Sequence, residues 1–279
     1  MDRLKAISKA FLFGLIMLAF LVVSALIAKA LKLSAARTYL FESGFMLLSA
    51  IIPFLYAAKN NYTFTEIGFH KPNKKIAKDV LYLIPFIVAL IPLAVLMNRS
   101  GGMKLMLVSL FFYACLAFAS EMYFRGIIQK ILEEKLPIAI LVFFMGILYA
   151  FCNMFYFNRV TNYKYIIVLV TISAGFSGVL TMAMARKANI FFLGVLSCLF
   201  FFLLGHFNGG KRLVISGGIA CIILLIYGII MLIGYIKENK KEVIKEEMNE
   251  ATESTEEENN EVDPDGFDEN DNIELNDHE

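Results

Sequence analysis

Histidine is scarce in this chain. There are three, His70, His206 and His278, and only His206, in "LLGHFNGG", touches an apolar run, at its rim. A zinc peptidase needs a cluster of histidine or carboxylate ligands, so that chemistry is excluded and no metal or other cofactor is expected. Cys115, Cys152, Cys198 and Cys221 show no paired spacing, which argues against a disulfide frame or a thiolate metal site. All four fall inside apolar runs and read as small apolar fillers. Acids are missing from most of the chain. Only nine of the 25 lie at or before Lys245, whereas all 26 Lys and Arg do. The net charge of +1 therefore averages a basic body with an acidic tail. No nucleic-acid partner is expected, because the basic residues sit in short connections.

What the chain has in quantity is apolar sequence: 58% of its residues are hydrophobic, with a mean hydropathy of +0.66. A soluble domain of this length could not hide that much apolar surface. Runs at 10–28, 38–58, 80–98, 105–124, 136–158, 165–185, 188–210 and 213–236 are each about 19 to 24 residues long, enough to cross roughly 30 Å of hydrocarbon. The expectation is an all-α, polytopic membrane protein with about eight transmembrane helices. The first run ends in "ALIAKALKL", is long enough to span, and shows no cleavable signal.

Positive charge predicts orientation. Seventeen Lys and Arg fall on the side that holds both termini, against nine on the other. Both termini are therefore expected in the cytoplasm of a multi-pass cell-membrane protein. The organisation reads as a cytoplasmic N-terminus (1–9), an eight-helix membrane domain (10–236) and an acidic tail (237–279). The tail is poor in large apolar residues, so disorder is expected from about 246. "GIIQKILEEKLP", after Arg125, alternates apolar and charged residues and reads as a short interfacial helix ending before Pro137.

Ionisable groups at membrane depth are costly and mark candidate sites. Two acids qualify. Glu42, in "TYLFESGFMLL", reads either as a cavity-lining group or as a partner of Arg37. Glu121 lies in "SEMYFRG", where the fourth run turns polar; it shares a helix face with Arg125 at i,i+4, the favourable order for an ion pair. "TISAGFSGVL" offers Ser173, Ala174, Gly175, Ser177 and Gly178 as a small-residue face for close helix contact.

The order of these features resembles the CPBP family of intramembrane proteases, which holds the type II CAAX prenyl proteases and the bacteriocin-processing and self-immunity proteins. The likeness covers about residues 10–236. "SEMYFRGIIQKIL" resembles the family's first motif at Glu121, Phe124, Arg125, Gly126 and Gln129, with Ser120 where the motif has its first Glu. "ILYAFCNM" is similar to the second, with Tyr149 at its Phe and Asn153 at its His. "NIFFLGVLSCLFF" stands near the third, with Ser197 at its His and Phe201 at its Asn or Asp. "FTEIGFHKPNKK" is similar to a Leu-Gly-Leu stretch that precedes the family's third span. The resemblance implies an intramembrane endopeptidase frame whose missing Glu and two histidines would activate water. By position, Glu121, Arg125 and Asn153 are the remaining catalytic candidates. Serine and asparagine cannot take a proton near neutral pH.

The first expectation is thus a family member without its general base, a pseudoprotease. It would bind a hydrophobic or lipidated peptide, or a membrane-protein partner, in immunity or regulation. A second reading is a divergent endopeptidase, with Glu121 as base and Asn153 holding an oxyanion. It needs Glu121, Asn153 and Ser197 around one water-accessible cavity. Adjacent helical residues point about 100° apart, so Glu121 replaces residue 120 only if a π-bulge rotates it, and nothing in the sequence requires one. A thiol route through Cys152 or Cys198 lacks a histidine to deprotonate it. A third reading is a small transporter using Glu42, Pro85 and Pro92, although no internal repeat supports it.

Overall fold

The computed structural model describes residues 2–69, 81–96, 102–160, 165–185, 188–205 and 211–260. The three histidines, the basic cluster from Lys71 to Lys78, Arg186, Lys187 and the tail beyond Asn260 lie outside the described residues. Among the described residues every regular element is a helix. In hydrocarbon a backbone must satisfy its own polar groups, and a helix does so within one segment. The elements are α1 (Asp2–Ala30), α2 (Ala35–Lys59), α3 (Ile84–Leu96), α4 (Met103–Glu121), a π-helical segment (Met122–Ile128), α5 (Gln129–Glu133), α6 (Ile138–Val160), α7 (Ile166–Ala185), α8 (Ile190–Gly205) and α9 (Lys211–Asn260).

Each of the eight apolar runs meets a helix. Six are long and apolar enough to cross a membrane, with α4, the π segment and α5 joined into one stretch, Met103–Glu133. The third and seventh runs form the shorter α3 and α8. Large apolar side chains stand on the outside, among them Phe143, Ile147, Ile167, Phe191 and Ile222; that is where lipid would lie. The chain is an all-α, polytopic membrane protein.

Two compact units divide it, Met1–Leu232 and Ile233–Glu279. In the first, α2 lies along α4, α6 against α7, α4 against α8, and α1 against α2 and α6. A continuous file of rings runs through its interior: Phe86 meets Phe176 at 5.5 Å, Phe176 stacks on Phe200 at 4.3 Å, and Phe201 stacks on Tyr149 at 6.3 Å, which meets Phe124 edge-on at 5.0 Å. In the second unit, the helix begun at Lys211 continues past residue 246 to Asn260. Disorder was expected there because the stretch cannot build a core. It is nonetheless rich in Glu, a strong helix former, and a helix needs no core of its own.

The helix begun at Met103 runs on past Glu121 through seven π-helical residues into α5. The short helix packs one face into the protein, with Ile127, Ile128, Gln129, Ile131 and Leu132 buried, and leaves Glu133 and Glu134 exposed. The loop before α3 is pinned by Gly68, whose φ of +93° suits glycine, where a Cβ would meet Met184 Sδ at 2.7 Å. Its carbonyl accepts the Ile190 amide at 2.9 Å, so the loop docks where α8 begins.

Candidate functional site

The polar centre is built where α4 passes into the π segment. A π turn closes i→i+5 bonds and widens the helix, and such turns recur at functional sites. Here it follows Glu121 and carries Arg125 into the interior, where both are nearly inaccessible, at 2% and 1% exposure. Arg125 Nη1 donates to Glu121 Oε1 at 3.3 Å. The Ser197 hydroxyl, from α8, donates to the same oxygen at 2.5 Å. Arg125 Nη2 donates to the carbonyl and hydroxyl oxygens of Ser177 on α7, both at 3.2 Å. The guanidinium lies 4.8 Å from the Tyr149 ring centre, a cation–π contact from α6. One ion pair thus ties together α4, α6, α7 and α8.

The neighbouring polar groups extend the centre by one turn. Gln129 Nε2 donates to the Thr181 carbonyl at 3.2 Å, and the Thr181 hydroxyl donates to the Ser177 carbonyl at 2.8 Å. On the opposite side, the Tyr123 hydroxyl donates to the Ser49 carbonyl of α2 at 3.0 Å. Among the described residues five buried polar atoms remain without a hydrogen-bond partner: Glu121 Oε2, Arg125 Nε, Gln129 Oε1, Tyr149 Oη and Asn153 Oδ1. Buried polar atoms are normally satisfied, so these mark where a ligand or water would bind.

Two cavities flank the ion pair. A groove of about 260 Å³ between α4 and α8 is lined by apolar side chains such as Ala114, Phe118 and Leu199, by Phe69, Gly194 and Cys198, and by Glu121, its only charged residue. Phe118, Phe191, Val195 and Leu199 are exposed, so this groove opens sideways. A second cavity, of about 200 Å³, is lined by Thr65, Glu66, Arg125, Gln129, Lys130 and Glu133 together with Met184 and Ala185. At its rim Lys130 bridges Glu66 at 3.6 Å and Glu134 at 3.4 Å. The Glu66 carboxyl is held below the ordinary carboxylate range, first by the Thr63 amide and hydroxyl and then by Lys130.

The sequence-derived candidates separate into two groups. Glu121, Arg125 and Ser197 meet directly, as described. Asn153 does not join them: its amide donates to the Tyr149 carbonyl of its own helix at 2.8 Å, and it does not line the groove that Glu121 lines. Ser120 points to α1, with its hydroxyl 3.9 Å from Met17 Sδ. Phe201 is fully buried against Tyr149. Glu42 is buried at 1% exposure on α2. Pro85 and Pro92 belong to α3.

Sequence reasoning missed Ser177 as a partner of the ion pair and Thr181 as the partner of Gln129. A signal existed, because Ser173, Ser177 and Thr181 repeat every four residues and so share one face of α7, all fully buried. The small-residue reading of that helix also holds: a Cβ on Gly178 would stand 3.1 Å from Val142 Cγ1.

Fold and site together define a helical, multi-span membrane protein organised around a buried, hydrogen-bonded ion pair. No protein-family model matches the chain, and no curated protein matches it.

Proposed function

We propose that the chain is a membrane-embedded binding protein on a CPBP-like frame, taking an apolar ligand through the α4–α8 groove without cutting it. The observation that supports this is how the Glu121 carboxylate is shared. Oε1 is held by Arg125 and Ser197, while Oε2 is unpartnered in a residue that lines an apolar groove. A general base must be reached by water and substrate together. Beside this carboxylate, Tyr149 and Phe201 fill the interior with stacked rings, and Ser120 faces α1. The excess of Lys and Arg on one side supports a cell-membrane topology with both termini cytoplasmic. The sequence admits a hydrophobic or lipidated peptide, or a membrane-protein partner, as occupant. In the test, purified protein in detergent is given lipidated and plain hydrophobic peptides. Retained binding without cleavage is expected; cleavage that Glu121→Ala removes would overturn the reading.

One observation favours a second reading, a divergent endopeptidase. The 2.5 Å bond from the Ser197 hydroxyl to Glu121 is how a nucleophile meets its base. An organophosphonate adduct on Ser197, lost in Ser197→Ala, would establish it. Asn153, turned onto its own helix, offers that mechanism no oxyanion donor.

A further inference from the structure

The groove's chemistry narrows what it can hold. This step rests on the binding reading above and names the ligand class. Glu121 and Arg125 neutralise each other within the span Met103–Glu133. A cationic ligand on Glu121 would leave one uncompensated positive charge in hydrocarbon, and an anionic one would face the carboxylate; both are costly there. What completes Oε2 without changing the charge is a neutral hydrogen-bond donor. The rest of the lining is apolar, so the donor must sit at the end of an apolar body. A helix about 10–12 Å across would lie over a cavity of about 260 Å³ rather than enter it, whereas a single hydrocarbon chain enters. Gly194 keeps the floor open, since the nearest atom to a Cβ there is Glu121 Cγ at 3.9 Å.

We propose that the α4–α8 groove binds a single-chain neutral lipid with a terminal hydroxyl, such as a long-chain alcohol, which donates its hydrogen bond to Glu121 Oε2.

The test uses the full chain in phosphatidylcholine nanodiscs, whose lipid carries no free hydroxyl. Three diazirine-bearing probes of equal chain length are compared: hexadecanol, its methyl ether and hexadecylamine. Labelled residues are mapped by mass spectrometry. The alcohol is expected to label groove residues of α4 and α8 about tenfold more than the ether or the amine, from one buried hydrogen bond to a charged acceptor. Gly194→Leu should abolish this labelling while the thermal unfolding midpoint stays within a few degrees. Equal labelling by alcohol and ether would overturn the proposal yet leave an apolar-binding groove standing. Groove labelling by none of the probes would remove the binding reading as well. Preferential labelling by the amine, or by a diazirine-bearing transmembrane peptide in place of the alcohol, would also overturn the assignment.

Discussion

Where α6 meets α7, a Cβ added to Gly146 would stand 2.9 Å from the Ala174 carbonyl oxygen, so the two backbones touch. Where α4 meets α8, a Cβ added to Gly194 would find only Glu121 Cγ, at 3.9 Å. Both crossings carry glycine, and they use it in opposite ways. Lipid is as apolar as a leucine side chain, so hydrophobicity does not drive helices together in a bilayer; contact distance and hydrogen bonds do. The α6–α7 crossing is held by closeness. At the α4–α8 crossing the Ser197 hydroxyl of α8 donates to the Glu121 carboxylate of α4, which fixes the helices at one point and leaves a groove beside it. An apolar hollow of about 210 Å³ beside Gly146 and Gly178 has no charged residue in its lining, whereas the α4–α8 groove carries Glu121.

The largest perturbation removes the charge that pairs with Glu121 and ties its helix to α7. Arg125→Met strands the Glu121 carboxylate in a dry interior and leaves the Ser177 oxygens without their guanidinium. The expected loss is about 3–5 kcal/mol, read from unfolding in detergent. Adding Glu121→Leu to that variant should recover most of it, because exchanging both members of a buried pair for apolar groups is often neutral. If the double variant is no better than the single one, a stranded Glu121 charge is not what the single variant loses stability to.

Ser197→Ala is the next step down. It deletes the shorter of the two hydrogen bonds on Glu121 Oε1 but leaves Arg125 in place. A hydrogen bond to a charged group contributes about 1.5–3 kcal/mol; the same unfolding measurement should show about 2 kcal/mol. A much smaller loss would mean that Arg125 alone suffices.

How much of this was legible in the sequence follows the same division. The eight apolar runs announce their helices, because a hydropathy run is a property of one segment. The Glu121–Arg125 pair is equally local, four residues apart on one helix. The π segment is not legible: "MYFRGII" has nothing that forbids an α-helix, and the wider turn is held by partners elsewhere, such as Ser49 and Ser177. Ser177 stands 52 residues from Arg125, and no spacing rule connects them. The motif resemblance grouped Asn153 with Glu121, whereas its amide nitrogen donates within its own helix. Helix formation in the acidic stretch to Asn260 was hidden for a different reason, since composition reports on core-building rather than on helix propensity.

The smallest effects test the comparison most closely, because they differ in sign. Gly146→Ala introduces a methyl group against a carbonyl oxygen of α7 that belongs to the backbone and cannot turn aside. Overpacking costs about 1–3 kcal/mol, and alanine's better helix propensity returns up to about 1 kcal/mol. A net loss of about 1 kcal/mol is expected. Gly194→Ala places its methyl in ordinary van der Waals contact at 3.9 Å, so only the gain from restricting the unfolded chain remains, about 0.4–1 kcal/mol of added stability. Measured side by side in the same detergent, the two substitutions should shift the unfolding midpoint in opposite directions. Two losses of equal size would mean that α4 and α8 also meet backbone to backbone, and that the groove between them is closed in the folded protein.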